Sequence, residues 1–219
     1  MITPATLEFL SKLKNNNSKE WFDKNRPTYE LIKVEFKNFV QDLIVAISKF
    51  DSSVKHLEAK NCVFRINRDV RFSNDKSPYK TNIGAYMSPE GKKSFSAGYY
   101  IHIQPNNCFL ASGMWMPPAP QLIAVRQEID YNADEFRKIV SCQKFISHFK
   151  TLSQEDKVKT SPKGYDKAHP EIEFLKLKSF IAIKSIKDKE VLSKTFIKNC
   201  AESFEEAYPL NQFLRRACD

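Results

Sequence analysis

Hydrophobic spacing changes twice along this chain, and the middle stretch leaves little choice of topology. Up to Phe50 the apolar residues recur at three and four, as in Tyr29, Ile32, Phe36, Phe39, Leu43 and Ile47, the spacing of a helix with one buried side. From Thr81 onward they alternate. Thr81–Ser88, Ser94–Gln104 and Cys108–Met114 each read as a strand, separated by Pro89-Glu90-Gly91-Lys92 and by Pro105-Asn106-Asn107, which are turn compositions. Connections this short cannot hold a crossover helix, so consecutive strands must pair antiparallel. An earlier strand is expected over Val63, Phe64 and Ile66, running to Arg71-Phe72 before the turn Ser73-Asn74-Asp75. Ser179–Ile186 alternates again and is a fifth.

Helices are expected on both sides of this meander. Thr3 followed by Pro4 is a helix start, with a hydroxyl cap and then a proline that needs no partner for its missing N–H. Asn15-Asn16-Asn17 ends that helix, Ser18 caps a short one carrying Trp21 and Phe22, and Pro27 opens the longest, to about Phe50. Further helices are expected over 119–131, 133–141 and 143–150. A helical tail follows from Asp188 to Arg216, with a break at Pro209, and 151–170 is irregular. The fold class is α+β: an antiparallel meander of about five strands packed with N- and C-terminal helices as a single domain over 1–219. With 219 residues and only five glycines, such a domain buries enough surface to need no disulfides.

The five cysteines form no C-x-x-C pair and are odd in number, which fits a reduced, cytoplasmic protein better than a disulfide framework. No basic-then-apolar leader opens the sequence, and no apolar run nears the roughly 20 residues that cross a bilayer, so no membrane partner is expected. The net charge of +9 is unevenly spread: 61–100 carries 7 basic and 3 acidic residues, and 141–200 carries 13 and 7. Such a surplus favours anionic partners, an anionic small molecule or nucleic acid. In 141–200 the lysines are scattered, as on a solubilising surface.

The segments NNSKEWFDKNRPTYE, FRINRDVRFSNDKSPYKTNIGAY, GYYIHIQPNNCFLASGMWMP, PKGYDKAHPEIEFLKLKSF and PLNQFLRR follow one another over nearly the whole chain. In this order they resemble an uncharacterised bacterial and fungal family, a domain of unknown function numbered twenty-four sixty-one. The resemblance implies one domain and a shared surface at the motif residues, and implies no activity. One departure is a third asparagine in the first motif, where members usually carry two, at the turn between the first two helices.

The second of those segments concentrates the chemistry. Arg65, Arg68, Arg71, Lys76 and Lys80 lie within sixteen residues, beside Ser73, Ser77 and Thr81, a donor set suited to phosphate. Strand alternation would put Arg68 on the apolar side with Phe64, Ile66, Val70 and Phe72, where its charge must meet either a carboxylate, for which the long helix is one source, or a cleft. Asp69 stands between Arg68 and Arg71 as an organiser of both or as an acid. Tyr100, His102 and Gln104 share a strand side. His102 is the best-placed acid/base candidate because its pKa lies near neutrality, against the commoner structural role of a strand histidine. Trp115 is a candidate wall or a packing residue against Trp21 or Phe22. Lys163 and Asp166 lie in the irregular PKGYDKAHP, as site members or as a self-satisfied turn. No H-x-x-x-H, C-x-x-C, D-x-D-x-D or G-x-x-x-x-G-K-[ST] pattern occurs, so no metal and no cofactor are expected.

The leading expectation is binding of an anionic, phosphate-containing ligand by Arg65, Arg68, Arg71 and Lys80, with Tyr100, His102, Trp115 and Lys163 around it. The alternatives are a hydrolytic enzyme using His102 with Asp69 or Asp166, and a nucleic-acid-binding protein.

Overall fold

The computed structural model describes residues 1–218. Its N-terminal helices are α1 (Pro4–Asn15), α2 (Lys19–Lys24) and α3 (Arg26–Ile47), and a single turn, α4 (Ala59–Cys62), follows. Ser18 caps α2 as its composition predicts, accepting the Trp21 N–H at 3.2 Å. The sheet holds β1 (Ile83–Met87), β2 (Gly98–Ile103), β3 (Cys108–Met114) and β4 (Phe180–Ile186), in the order β1-β2-β3-β4 and antiparallel throughout. Between β3 and β4 come α5 (Ala119–Tyr131), α6 (Ala133–Ser141), α7 (Gln143–Phe149) and the short α8 (Ile172–Leu175). After β4 the chain forms α9 (Asp188–Val191) and α10 (Phe196–Arg216).

Alternation decides which side of the sheet is core. Ile83, Ala85, Met87, Tyr99, Ile101, Ile103, Cys108 and Leu110 pack with α1, α3 and the first half of α10 in one apolar cluster. Met114, Phe180 and Ala182 pack with α5, α6, α7 and the second half of α10 in another. Helix α10 therefore spans both clusters: Phe204 lies in the first, Leu210 and Phe213 in the second. At Gly113 the sheet requires glycine. Its φ is +123°, and a Cβ there would sit 2.0 Å from the Phe180 carbonyl oxygen.

Two expectations are corrected. Pro209 does not break the last helix but lies inside α10. A mid-helix proline loses one hydrogen bond and crowds the preceding turn; here apolar packing on both sides of it, through Ala207 and Leu210, holds the helix straight through. The interruption falls earlier, at Leu192–Thr195, between α9 and α10. Secondly, Val63–Phe72 is not a strand, which leaves four strands where about five are expected. That segment makes only single bridges, Val63 to Ala85 and Asn67 to Tyr79. Pairing stops at Arg68, whose N–H bonds the Pro78 carbonyl at 2.9 Å, because proline has no N–H to return. Beyond it, Asp69 and Asp75 take backbone N–H groups onto their side chains, a local alternative that competes with a ladder. Phe72, predicted on the apolar side, is 95% exposed.

Candidate anion-binding surface

Residues 64–80 leave the β1 edge and return to it as an irregular hairpin. Phe64 N donates to the Gly84 carbonyl at 3.0 Å, and Lys80 N to the Ile66 carbonyl at 2.8 Å. The return arm is clamped to the N-terminal helices. Asn17 donates to the Tyr79 carbonyl at 2.8 Å and accepts the Tyr79 N–H at 3.1 Å. The Tyr79 ring stacks on Phe22, centroids 3.9 Å apart. Asn17 is the last of the three asparagines at the turn between α1 and α2, and it ties that turn to the hairpin.

The hairpin cations divide into two kinds. Arg68 is only 24% exposed and is consumed internally: it pairs with Asp75 and donates to the Ser77 carbonyl at 3.2 Å and to Ser73 Oγ at 3.3 Å. Its carboxylate comes from the turn, not from the long helix. The same turn holds the Asp75 carboxyl down at about 2, through Ser77 first and then Arg68. Arg71 grips Asp69 with both ends of its fork, at 2.9 and 2.7 Å, and that bond depresses the Asp69 pKa. Lys76 donates to the Val70 carbonyl at 3.0 Å. Arg65 and Lys80 are different: among the described residues neither has a carboxylate partner. Lys80 sits over the Phe64 ring, 5.4 Å from its centroid. Burial, and then the neighbouring Arg65 charge, pull its pKa down.

These two cations border the sheet face that no helix covers. Tyr86, Tyr100, Phe109, Ile181 and Ile183 point away from the core by alternation, are half-buried, and belong to neither apolar cluster. Phe64 meets Tyr100 edge-on at 6.2 Å, which ties the hairpin base to this face. Gly84 makes room for Tyr100: a Cβ there would lie 2.8 Å from the phenol oxygen. That phenol bonds His102 Nδ1 at 2.9 Å, and His102 Nε2 bonds Gln104 Oε1 at 3.0 Å. Since an amide oxygen only accepts, Nε2 carries the hydrogen and Nδ1 accepts from Tyr100. The imidazole stacks on Phe109, 4.5 Å away and 14° from parallel. Burial pushes the His102 pKa down, against the Gln104 bond, and pushes Tyr100 up to about 12. A neutral histidine with both nitrogens engaged is the result. No carboxylate touches it, so it lacks the orienting acid of a hydrolytic triad.

The remaining candidates lie elsewhere. Trp115 is 67% exposed and packs on neither Trp21 nor Phe22. It follows the far end of β3, six residues past the position opposite His102, or about 20 Å along the strand. Lys163 lines a separate pocket of about 260 Å³ beside α5, with Ile123, Gln127, Asp130, Tyr131 and Tyr165. Asp166 closes a turn by accepting the Ala168 N–H at 2.7 Å, and Asp69 serves Arg71. Contacts run from Lys80 over Phe64 to Tyr100 and His102, with Arg65 acting on both Lys80 and Asp69 through its charge; Arg68, Arg71, Trp115, Lys163 and Asp166 lie outside that chain of contacts.

A family model described as conserved hypothetical protein (DUF2461) matches residues 5–213. The chain belongs to the DUF2461 family. No curated protein and no solved structure matches it. In this DUF2461 chain, Asn17, Phe64, Asp75 and Phe109 carry roles that the sequence reading does not assign. Phe109 has a readable signal, being opposite in parity to Cys108 and Leu110; Asn17 and Asp75 have none, because their partners are backbone groups or lie in a turn. Among the described residues there is no group of three or more side chains able to hold a metal ion, and no helix long and apolar enough to cross a membrane.

Proposed function

We propose that the protein binds a phosphate-containing anionic ligand at Arg65 and Lys80, against the open aromatic side of the sheet. The observation that carries this reading is the contrast within one hairpin. Arg68 and Arg71 are paired directly with Asp75 and Asp69, whereas Arg65 and Lys80 stand near each other with no direct ion pair among the described residues, Asp69 reaching Arg65 only through its field. Two unmatched cations repel, and Lys80 is partly desolvated besides, so a bound anion would relieve a strain that the fold leaves in place. Phe64 and Tyr100 would supply the adjoining ring surface. A reducing, cytoplasmic setting suits Cys62, Cys108 and Cys200, which are buried as thiols.

The test is thermal stabilisation by inorganic phosphate, sugar phosphates and nucleotides. At a hundredfold excess over Kd a ligand adds about 2.7 kcal/mol, or roughly 5–11 °C in a domain of this size. The Arg65→Ala/Lys80→Ala double variant is expected to lose that shift and Arg71→Ala to keep it. A panel without any shift, or a double variant that responds like the wild type, overturns the proposal.

Nucleic acid is the second reading, favoured by Phe72 and Trp115, two highly exposed aromatics on a chain of net charge +9. Phosphate-backbone binding would weaken steeply with salt; affinity that is negligible at low salt removes it. Hydrolysis through His102 is the weakest reading, given that both of its nitrogens are engaged.

A further inference from the structure

On the core side of β4, alternation runs Phe180, Ala182, Lys184, Ile186, so a lysine occupies a position that should be apolar. Its ammonium has three hydrogens to donate. One goes to Ser203 Oγ at 2.8 Å and one to His148 Nδ1 at 3.2 Å. Ser203 is fully buried, and its single hydroxyl hydrogen serves either the Asn199 carbonyl at 2.9 Å or His148 Nδ1 at 3.0 Å. The third hydrogen has no partner among the described residues, and no carboxylate pairs with Lys184. With Nδ1 accepting, the His148 hydrogen sits on Nε2, and that nitrogen also has no partner there.

Both side chains line a cavity of about 120 Å³ between β4, α7 and α10, together with Ile186, Phe196 and Cys200. Glu190 and Glu202 border it as well, but each is engaged elsewhere. Glu190 accepts the Lys187 N–H at 2.8 Å, and Glu202 lies 3.7 Å from Lys198. Glu206 faces Lys144, at 3.8 Å. A half-buried cation with no carboxylate in direct contact is costly, and here it opens onto a space nearly as large as the engineered ~150 Å³ cavity that takes up benzene. Apart from the two glutamates, one part of the lining donates hydrogen bonds and another is apolar.

We propose that this cavity is a binding site for a small aliphatic monocarboxylate, its carboxylate held by Lys184 and His148 and its tail lying against Ile186, Phe196 and Cys200. The two bordering glutamates disfavour a dianion such as phosphate. Burial first and then the Lys184 charge lower the His148 pKa, with Glu206 and Glu202 partly offsetting them, and a carboxylate between the two would raise it further.

The experiment follows the His148 imidazole resonances of the whole protein by NMR, at neutral pH and constant ionic strength, while butyrate or inorganic phosphate is added. A saturable shift with butyrate is expected, with phosphate weaker or without effect. Lys184→Gln should weaken butyrate by at least roughly 30-fold, the usual penalty for removing one member of a buried charge pair. Ile186→Phe fills the cavity without touching the donors, and should abolish the saturable shift even if Lys184→Gln does not fold. The site is overturned if butyrate gives no saturable shift, or if Ile186→Phe binds like the wild type; tighter binding of phosphate overturns the carboxylate assignment.

Discussion

Replacing Asp51 with alanine should be among the most damaging single changes in this protein. The Asp51 side chain is 2% exposed and pairs with Arg215, itself 14% exposed, at 2.9 Å. Its second oxygen contact is the Tyr99 hydroxyl at 2.8 Å, and it also accepts the Ser53 N–H at 3.1 Å. The pair fastens the end of α10 to the turn after α3, 164 residues away in sequence. Removing one partner of a buried ion pair costs about 3–5 kcal/mol, because the other charge stays behind. Arg215 would keep the Ala97 carbonyl and Ser53 Oγ, both at 2.9 Å, which argues for the lower end. Tyr99 would lose its acceptor in the core, adding about 1 kcal/mol. The sum is about 4 kcal/mol, or a fall in Tm of roughly 8–16 °C, read by calorimetry or by circular dichroism. Asp51→Leu combined with Arg215→Met should recover much of the loss, since an apolar pair leaves no stranded charge. A drop under about 2 °C for Asp51→Ala, or a double variant less stable than either single one, would refute the reasoning. The pH dependence has a definite sign. Burial raises the Asp51 pKa, but Ser53, Arg215 and Tyr99 together bring it below the ordinary value. The unfolded chain therefore takes up the proton first, and this contribution is lost as pH falls below about 4.

Within the hairpin, Arg68→Ala should lower Tm by about 2–5 °C through loss of three contacts, while Arg65→Ala should change it by no more than about 2 °C; equal effects would mean that the two arginines are not differently matched. Gly113→Ala should cost about 3 kcal/mol or more, since the backbone is left-handed there and the new methyl meets the Phe180 carbonyl, and an unchanged denaturation midpoint would contradict the β3–β4 contact. His102 has a lowered pKa, so the folded protein resists protonation and loses stability as pH falls below about 6.5. His102→Gln should flatten that part of a Tm-against-pH curve between pH 8 and 5.5, and an identical slope in the variant would place the titration elsewhere.

Local spacing carried most of the fold. β3 begins at Cys108 and ends at Met114 as its alternation implies, and α5 and α6 keep the bounds 119–131 and 133–141. In each case one side of the element is buried, and burial writes itself into the period. Spacing failed where the deciding partner was not a neighbour in sequence. Phe64 and Ile66 alternate like strand residues, but whether a strand forms depends on what the opposite chain can donate, and there Pro78 donates nothing. Arg68 was legible as a charge needing a partner; that the partner is Asp75, seven residues on, depends on how the turn closes. Arg65 looked like one of four equivalent cations. Only the pairing of its neighbours sets it apart with Lys80.

The two irregular stretches that hold most of the candidate residues have an architectural duty in common. Edge strands expose unpaired backbone groups that invite association. β1 is covered by Val63 and Phe64, which bridge to Ala85 and bond Gly84. β4 is covered by Leu152 and Ser153, which bridge to Ala182 and bond Ile181. Shielding an edge in this way is done by main-chain atoms, so it explains why a chain segment lies there without explaining its side chains. The side chains of Arg68, Arg71 and Asp75 are accounted for by the hairpin's own shape, and Tyr79 by its seat on Phe22. Lys80 contributes its N–H to the hairpin while its ammonium meets only the Phe64 ring, and Arg65 makes no hydrogen bond or ion pair among the described residues. Architecture therefore engages every charge in this hairpin through a hydrogen bond or ion pair except those two, and it is at those two that a binding role and a structural role can be separated by substitution.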